Sequence, residues 1–155
     1  MKTPVNSIQR QELEKAMQGM WWLLSRIDRT KEGQQVTEPV LGSDPVAILC
    51  YANGYFSAQF MKRQRTGIHT AHMSNTGANN TNAVGGYDAY FGNYVIDEET
   101  GLVTHILLGS ITPANVGMTV HRDLSVTDNT LTIRLDTTTG EGEPVTRTLT
   151  WKRIS

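Results

Sequence analysis

The sequence predicts an all-β fold, an eight-stranded antiparallel up-and-down barrel preceded by a short N-terminal helix. Apolar and polar residues alternate with a period of two through most of the chain after Met20. Short polar turns interrupt this alternation, and Asn53-Gly54 is the strongest hairpin signal among them. Threonine, a residue that favours strands, accounts for 20 of the 155 residues and becomes frequent after about residue 100.

One helix is predicted ahead of the barrel, with Ser7 as its N-cap. Apolar residues from Leu13 to Met20 recur at helical spacing, so that one side of this helix can cover a core. We therefore divide the chain into a helical cap, residues 1–18, and a barrel, residues 19–155.

Eight strands make up the rest of the predicted regular structure. Polar turns at Asp97–Gly101, Asp128-Asn129 and Gly140–Pro144 separate consecutive strands, which suits the hairpin connections of an antiparallel barrel or sandwich. The predicted strands cover residues 20–27, 46–51, 55–61, 89–96, 102–111, 116–126, 131–135 and 145–154.

The stretch Thr66–Gly86 does not fit this pattern, because it is rich in asparagine and glycine and has almost no large apolar residue. Loops of this length inside a compact domain are uncommon, and they are usually functional lids or disordered segments. We interpret it as a mobile flap over one mouth of the barrel. A disordered excursion without a role is the alternative.

Composition and charge exclude several classes of function. Fourteen basic residues against 15 acidic ones give a net charge of −1, so no field favours a phosphate backbone and no nucleic-acid partner is expected. No apolar run reaches the roughly 18–20 residues of a membrane helix, and the N-terminus lacks the apolar core of a secretory signal. A single cysteine, Cys50, fits a reducing compartment. We expect a cytoplasmic protein with no membrane contact.

Several motifs occur in the order typical of one family of small barrels. Gly19-Met20-Trp21 opens the first predicted strand, and Leu149–Arg153 brings an arginine to the position where that superfamily packs a guanidinium on the tryptophan. The further motifs are Gly42–Pro45, Tyr51–Met61, Ala89–Tyr94, Val103–His105 and Pro113–Gly117. Over roughly residues 19–155 the sequence resembles the small intracellular lipocalin-like domain family.

The resemblance implies a short eight-stranded barrel around an internal cavity, without fixing an activity. Related barrels in natural-product pathways act as cyclases, isomerases or dehydratases. The residues point to no cofactor, because His69 and His72 have no further metal ligand nearby in the sequence. No glycine-rich phosphate loop follows a strand and opens a helix, so a nucleotide is not expected either.

A charged residue is predicted inside this cavity. On the strand after Pro113, the residues Met118, Val120 and Arg122 share an apolar face that should point inward. A buried guanidinium without a partner is costly. The inner faces drawn from the alternation contain no Asp or Glu, which favours a ligand with an anionic or carbonyl group as the partner of Arg122. A structural arginine that caps carbonyls is the alternative.

Three further residues are candidates for chemistry in the same cavity. His105 enters it if the Val103 face of its strand points inward, either as a general acid or base near neutral pH or as hydrogen-bonded structure. Tyr90 and Tyr94 lie four residues apart, and their phenols can donate to a carbonyl oxygen. Gly92 between them would leave room for a ligand. The alternative is that both tyrosines are aromatic residues of the core.

These residues predict a cofactor-independent enzyme of natural-product metabolism. It would bind an apolar polyketide or terpenoid in the barrel and promote its cyclisation, isomerisation or dehydration. The alternatives are a non-catalytic carrier of a hydrophobic small molecule and a solidly packed module that forms a homodimer. A polar cluster at the centre of the cavity would favour catalysis, and a single charged anchor at its rim would favour carriage. The expected catalytic residues are His105, Arg122, Tyr90 and Tyr94, and the expected substrate contacts are Tyr51, Ser57, Gln59, Trp151, Met118 and Val120.

Overall fold

The structure, a computed structural model, describes residues 7–65, 84–97, 99–139 and 142–155. Within these ranges the chain forms one α-helix, nine strands and a short 3-10 turn. Their bounds are α1 Ser7–Met17, β1 Gly19–Arg29, β2 Gln35–Val36, β3 Val46–Ala52, β4 Tyr55–Met61, β5 Tyr87–Ile96, β6 Val103–Ser110, the 3-10 turn Pro113–Asn115, β7 Thr119–Thr127, β8 Thr130–Thr138 and β9 Pro144–Arg153.

The strands form one antiparallel sheet that closes into a barrel. β1 pairs with β3, each strand from β3 to β8 pairs with the next, and β9 returns to pair with β1. The short strand β2 pairs only with the end of β1, where Val36 lies opposite Asp28, and stays outside the ring. This eight-stranded ring with its N-terminal helix confirms the predicted fold class.

The predicted turns at Asn53-Gly54 and Asp128-Asn129 are present at the same positions. Asn53 and Gly54 have φ angles of 51° and 85°, so the turn between β3 and β4 uses two residues in the left-handed region. Such turns match the right-handed twist of the flanking strands, and glycine adopts them without strain. Asp128, at the turn between β7 and β8, has a φ of 54°. These turns fix the register in which the neighbouring strands pair.

One end of the barrel, the helix end, is closed by α1, the Asn53-Gly54 turn and the C-terminal residues. The Trp21 indole N–H donates to the Met17 carbonyl at 3.0 Å. The Arg153 guanidinium lies 4.3 Å from the Trp21 ring centroid, which confirms the predicted stack. The same guanidinium donates to the carbonyls of Gln18 and Ala16, each at 2.6 Å, where the last turn of α1 leaves carbonyls without helical partners.

A β-bulge in β1 changes which residues of that strand point into the barrel. Trp21 and Leu23 are buried, but pairing with β9 shifts between Leu23 and Ser25. After this shift the even-numbered residues Arg26 and Asp28 are the buried ones. An extra residue in one strand reverses the in–out alternation, because side chains alternate with a period of two. Two charged side chains thereby enter the interior.

Gly92 on β5 is required by the backbone of the neighbouring strand. A Cβ atom at Gly92 would overlap the carbonyl oxygen of Ile106, beside the irregular pairing of β5 with β6. The prediction that this glycine leaves room for a ligand is therefore wrong, because backbone fills the space. Glycine here serves close approach of two strands.

The opposite end of the barrel, the loop end, is formed by residues 30–45 and 110–118. Glu38 lies in the first of these loops, and its carboxylate accepts hydrogen bonds from the backbone N–H groups of Val40 and Leu41. These bonds fold the loop inward, so that the Leu41 side chain is 2 % exposed and reaches the barrel interior.

Most of the predicted flap, residues 66–83, lies outside the described residues, as do His69 and His72. The remainder is ordered by backbone pairing. Val84 and Tyr87 exchange two backbone hydrogen bonds of 2.7 and 3.1 Å, and Lys62 donates to the Gly86 carbonyl at 2.7 Å. The chain therefore enters β5 through a tight turn, and β5 begins at Tyr87, two residues earlier than predicted.

Candidate binding cavity

The barrel encloses a cavity that extends from Tyr51 and Phe56, near the Asn53-Gly54 turn, to Arg26 and Leu41 at the loop end. The empty space, counted together with its opening to solvent, is about 550 Å³. Aliphatic side chains and phenylalanines form half of the lining. The other half carries polar groups and consists of Arg26, Tyr51, Asp88, Tyr90, His105, Arg122, Arg147 and Trp151.

Aromatic rings form a continuous band around this cavity. The Phe56 ring stacks on His105 with centroids 4.3 Å apart, and it meets Tyr90 at 5.9 Å. Phe60 continues the band, with centroid distances of 6.3 Å to Tyr90 and 5.8 Å to Trp151. Rings at these separations pack favourably with each other and present flat faces to a ligand.

Tyr51 and His105 form a buried hydrogen bond at the deeper part of the cavity. The Tyr51 hydroxyl lies 2.7 Å from His105 Nε2. Burial, and after it the charge of Arg122, lower the pKa of His105 to about 3. Burial also raises the pKa of the Tyr51 phenol well above its usual value. Both partners are therefore neutral at neutral pH, and His105 does not titrate there as the sequence led us to expect.

Arg122 points into the barrel, where its side chain is buried beside this pair. The residue is 6 % exposed, and its Nη1 donates to the His121 carbonyl at 3.0 Å. Burial lowers the pKa of the guanidinium, whereas the nearby phenols of Tyr90 and Tyr51 raise it. The polar groups of the deeper cavity thus gather around one cation that cannot be discharged near neutral pH.

Two arginines that line the cavity towards the loop end belong to buried ion pairs. Arg147 holds Asp28 with two parallel bonds, Nε to Oδ1 at 2.8 Å and Nη2 to Oδ2 at 2.9 Å. Arg26 donates to Glu38 at 3.0 Å, and all four side chains are at most 5 % exposed. Burial lowers the pKa of Arg26, and the neighbouring Arg147 lowers it further. Bidentate geometry and mutual neutralisation make such burial tolerable.

The expectation that the inner faces carry no acidic residue is therefore wrong. Asp28 points inward because the bulge in β1 reverses the alternation after Leu23. Asp88 belongs to β5, which begins at Tyr87 and not at Ala89 as predicted, and its side chain is on the buried face of that strand. Acidic groups thus share the interior with Arg122. The absence of acids was the reason to expect an anionic ligand beside Arg122, so that argument does not hold.

Asp88 is the least satisfied of the buried charged groups. It is 2 % exposed, and its Oδ1 atom has no hydrogen-bond partner among the described residues. Burial raises the pKa of this carboxyl to about 7, although a bond from the Ala89 backbone N–H and the charge of Arg26 lower it. Near neutral pH Asp88 therefore exists in both the protonated and the ionised form.

Trp151 contributes a second buried polar atom without a hydrogen-bond partner among the described residues. The residue is 1 % exposed, and its indole N–H lacks an acceptor within the described part of the chain. Buried Trp N–H groups usually find a partner. Together, the Trp151 N–H and the Asp88 Oδ1 give the cavity one unmet donor and one unmet acceptor or acid.

The structure brings half of the predicted site residues together in this cavity. Its lining includes Tyr51, Tyr90, His105, Arg122 and Trp151. Tyr94 belongs instead to the helix end, where its ring packs edge-on against Tyr51 at 5.3 Å and its hydroxyl accepts a 2.6 Å bond from Gln18. Val120 is a buried core residue, and Met118 is partly buried against the core.

Ser57 and Gln59 are not part of the cavity, and their prediction as substrate contacts is wrong. Both are exposed on the outer face of β4, because Phe56, Ala58 and Phe60 occupy the inner face. The side chain of Gln59 accepts a hydrogen bond from the Tyr87 hydroxyl on that outer surface. The strict alternation of polar and apolar residues along β4 already indicates that Ser57 and Gln59 point outward.

Sequence reasoning also missed Arg26, Asp88 and Arg147 as cavity residues. Arg147 carried a usable signal, because it shares the face of Leu149 and Trp151 along β9. Asp88 lay just outside the predicted strand, and Arg26 follows an irregularity that no local pattern marks. These three account for most of the charge near the loop end of the cavity.

The described residues offer no group of three or more His, Cys, Asp or Glu side chains that could hold a metal ion. In the same part of the chain, no helix is long and apolar enough to cross a membrane.

Comparison with known proteins identifies the barrel by sequence. Residues 18–154 match a family model described as a lipocalin-like domain. No curated protein matches the chain. The matched range runs from the residue before β1 to the residue after β9, so it contains the entire barrel and every residue of the cavity.

Proposed function

Because the chain belongs to the lipocalin-like domain family, as its motifs predicted, we propose that it binds an apolar small molecule inside the barrel. One observation carries this proposal: a cavity walled in part by aromatic rings contains two buried polar atoms, Asp88 Oδ1 and Trp151 Nε1, with no partner among the described residues. Unpaired buried polar atoms are costly, and a ligand that pairs with them recovers that free energy.

The lining defines the chemistry of this ligand. Its body is flat or conjugated, because the rings of Phe56, Phe60 and Tyr90 form the walls. It carries an oxygen acceptor for the Trp151 N–H and a hydrogen-bond donor or an acidic C–H for Asp88. A hydrophobic molecule with a carbonyl group meets these requirements.

A second candidate function is catalysis without a cofactor, namely cyclisation, isomerisation or dehydration of a polyketide or terpenoid. The observation that favours it over simple carriage is the position of the polar groups. Tyr51, His105 and Arg122 form a polar cluster in the deeper part of the cavity. A carrier, by contrast, needs only one polar anchor at the rim of the cavity. Arg122 and Tyr90 would polarise a carbonyl, and neutral His105 would orient Tyr51. Tyr94 has no part in this scheme, because Gln18 engages its hydroxyl.

Binding can be tested with the fluorescent hydrophobe N-phenyl-1-naphthylamine and a pair of matched variants. Ala58 lines the cavity and is 2 % exposed, so Ala58→Leu fills part of the space that a ligand needs. We expect this change to weaken probe binding by about tenfold or more. Ser57→Leu, one residue away on the outer face, serves as control and should leave the dissociation constant within about twofold.

The fluorescence titration distinguishes a barrel that binds a ligand in its cavity from a barrel that is solidly packed. If the wild type fails to bind the probe, or if both variants weaken it equally, the cavity is not the binding site. Circular dichroism of both variants establishes that they keep the barrel. A filled barrel that serves only for dimerisation would give no probe signal at any protein concentration.

A further inference from the structure

We infer that Asp88 is the proton-transfer residue of the cavity, a catalytic acid–base group whose substrates are apolar carbonyl compounds with an acidic C–H. This inference rests on the proposed binding of a small molecule in the barrel, and it adds the reaction class. It is argued from the position of Asp88, from the engagement of the other acids, and from the groups that face it.

The position of Asp88 suits contact with a ligand. Asp88 is the first inward residue of β5, directly opposite Phe60 on β4 and two residues before Tyr90 on the same face. Its carboxyl accepts a bond from the Ala89 backbone N–H, which fixes the orientation of the group. Oδ1, the atom without a partner among the described residues, is left to meet the contents of the cavity.

The other acids near the loop end are engaged elsewhere. Asp28 is held by Arg147 through both oxygens, and Glu38 accepts from Arg26 and from two backbone N–H groups. His105 is neutral at physiological pH and does not deliver a proton there. Among the described lining residues, Asp88 is thus the group that can both take and return a proton near pH 7.

The surroundings of Asp88 support both of its protonation states. Burial favours the neutral acid, while the Ala89 backbone N–H and the charge of Arg26 on β1 stabilise the ionised form. The titratable and charged groups that line the cavity with it are Arg26 on β1, Tyr51 on β3, Tyr90 on β5, His105 on β6, Arg122 on β7 and Arg147 on β9, and Glu38 stands behind Arg26.

The reaction that these groups fit is an allylic proton shift. The Asp88 carboxylate takes a proton from a C–H next to the ligand carbonyl, and that electron pair becomes a C=C bond. The carbonyl π pair moves onto its oxygen, where the Trp151 N–H is available as a donor. The oxygen pair then re-forms the carbonyl, the new C=C pair shifts to the bond between the α and β carbons, and the pair of the ligand's original β,γ C=C bond takes the proton back from the carboxyl at the γ carbon. The double bond has migrated, and no oxidant, reductant or second reactant is consumed.

A small aromatic probe tests this base without knowledge of the natural substrate. 5-Nitrobenzisoxazole is a small aromatic compound that reports a carboxylate base directly. The base removes its ring C–H proton, the C–H pair forms the nitrile as the N–O bond breaks, and the oxygen leaves as a coloured phenolate. We expect turnover by the wild type to rise with pH through a midpoint near 7, which is the pKa of Asp88.

Matched variants identify the residue responsible. Asp88→Asn keeps the shape of the side chain and should lower the rate by about 100-fold or more. Asp136→Asn removes an exposed carboxylate of β8 and should leave the rate unchanged. Asp88→Glu retains a carboxyl near the same place and should keep part of the rate and the pH profile.

Displacement of N-phenyl-1-naphthylamine by the reagent separates two kinds of failure. A wild type that binds the reagent, yet reacts no faster than Asp88→Asn, overturns the inference and leaves the proposed function intact. A barrel that binds neither compound overturns both. Independently, 13C-aspartate NMR should find a carboxyl that titrates near 7 and disappears in Asp88→Asn. A midpoint near 4 for that resonance would overturn the inference.

Discussion

The two ends of the barrel use the same side chain, arginine, in opposite ways. At the helix end, Arg153 lies across Trp21 and donates to two backbone carbonyls. At the loop end, Arg26 and Arg147 are buried against carboxylates. The partners at the first end do not titrate, whereas those at the second end are acids. One end is therefore built as a fixed closure, and the other is held by buried ion pairs.

The position of the cavity follows this difference. Its charged lining residues come mainly from the loop end, and the Trp21–Arg153 stack lies outside its lining. The helix end also holds Tyr94, whose hydroxyl is engaged by Gln18. The stack and this hydrogen bond thus close the barrel with local partners. Asp88 and Trp151, which each have a buried polar atom without a hydrogen-bond partner among the described residues, line the cavity instead.

The largest expected effect comes from breaking a buried pair at the loop end. Arg147→Met leaves Asp28 buried without its bidentate partner, so we expect the free energy of unfolding to fall by about 3–5 kcal/mol. Urea unfolding followed by tryptophan fluorescence measures this loss. Arg134→Met, which removes an exposed arginine of the neighbouring strand β8, is the control and should change stability by less than about 0.5 kcal/mol.

A double variant shows whether the loss comes from the unpaired charge. Asp28→Leu combined with Arg147→Met replaces the pair by apolar groups and should recover most of the stability. If the double variant is as unstable as Arg147→Met alone, packing of the arginine stem and not charge pairing explains the effect, and the contrast between the two ends weakens.

At the helix end, Arg153→Ala should have a smaller effect that does not depend on pH. It removes a cation–π contact and two hydrogen bonds to carbonyls, and we expect a loss of about 2 kcal/mol. The same urea measurement at pH 5 and pH 8 should give the same difference from the wild type. Arg153→Lys keeps the charge without the planar fork and should lose about half as much. A loss that differs between the two pH values would show that the helix end also depends on an acid.

The helix end was largely predictable from the sequence, and the loop end was not. Asn53-Gly54 and the pairing of Trp21 with Arg153 are local or motif-based signals, and both are present in the structure. The alternation of β7 also places Arg122 in the interior. Period-two patterns identify inward residues as long as a strand is regular.

The charged part of the cavity depends on features without such a pattern. The bulge after Leu23 reverses the face of β1, and nothing in the local sequence marks it. Glu38 reaches Arg26 from a loop, which has no periodicity to read. The protonation state of His105 is set by burial among neighbours from several strands. These are tertiary effects, and local sequence determines them only through the finished barrel.

The smallest expected effect is a pair of opposite pH dependences inside the cavity. Asp88 has a pKa of about 7 in the folded chain against 3.8 as its ordinary value, so between pH 5 and 6 the folded state binds one proton more. His105 has a pKa of about 3 against 6.5, so over the same range the unfolded state binds one proton more. Asp88 makes stability fall as pH rises, and His105 makes it rise.

The two slopes nearly cancel in the wild type and are exposed by single variants. Asp88→Asn leaves the His105 contribution, so its stability relative to the wild type should rise by about 1.4 kcal/mol from pH 5 to pH 6. His105→Gln leaves the Asp88 contribution, and its relative stability should fall by a similar amount. Urea midpoints across this range measure both slopes, and Arg153→Ala provides the flat reference. Two variants with slopes of the same sign would contradict the assignment of Asp88 as a neutral acid and His105 as a neutral base, and with it the distinction between a titrating cavity and a fixed closure.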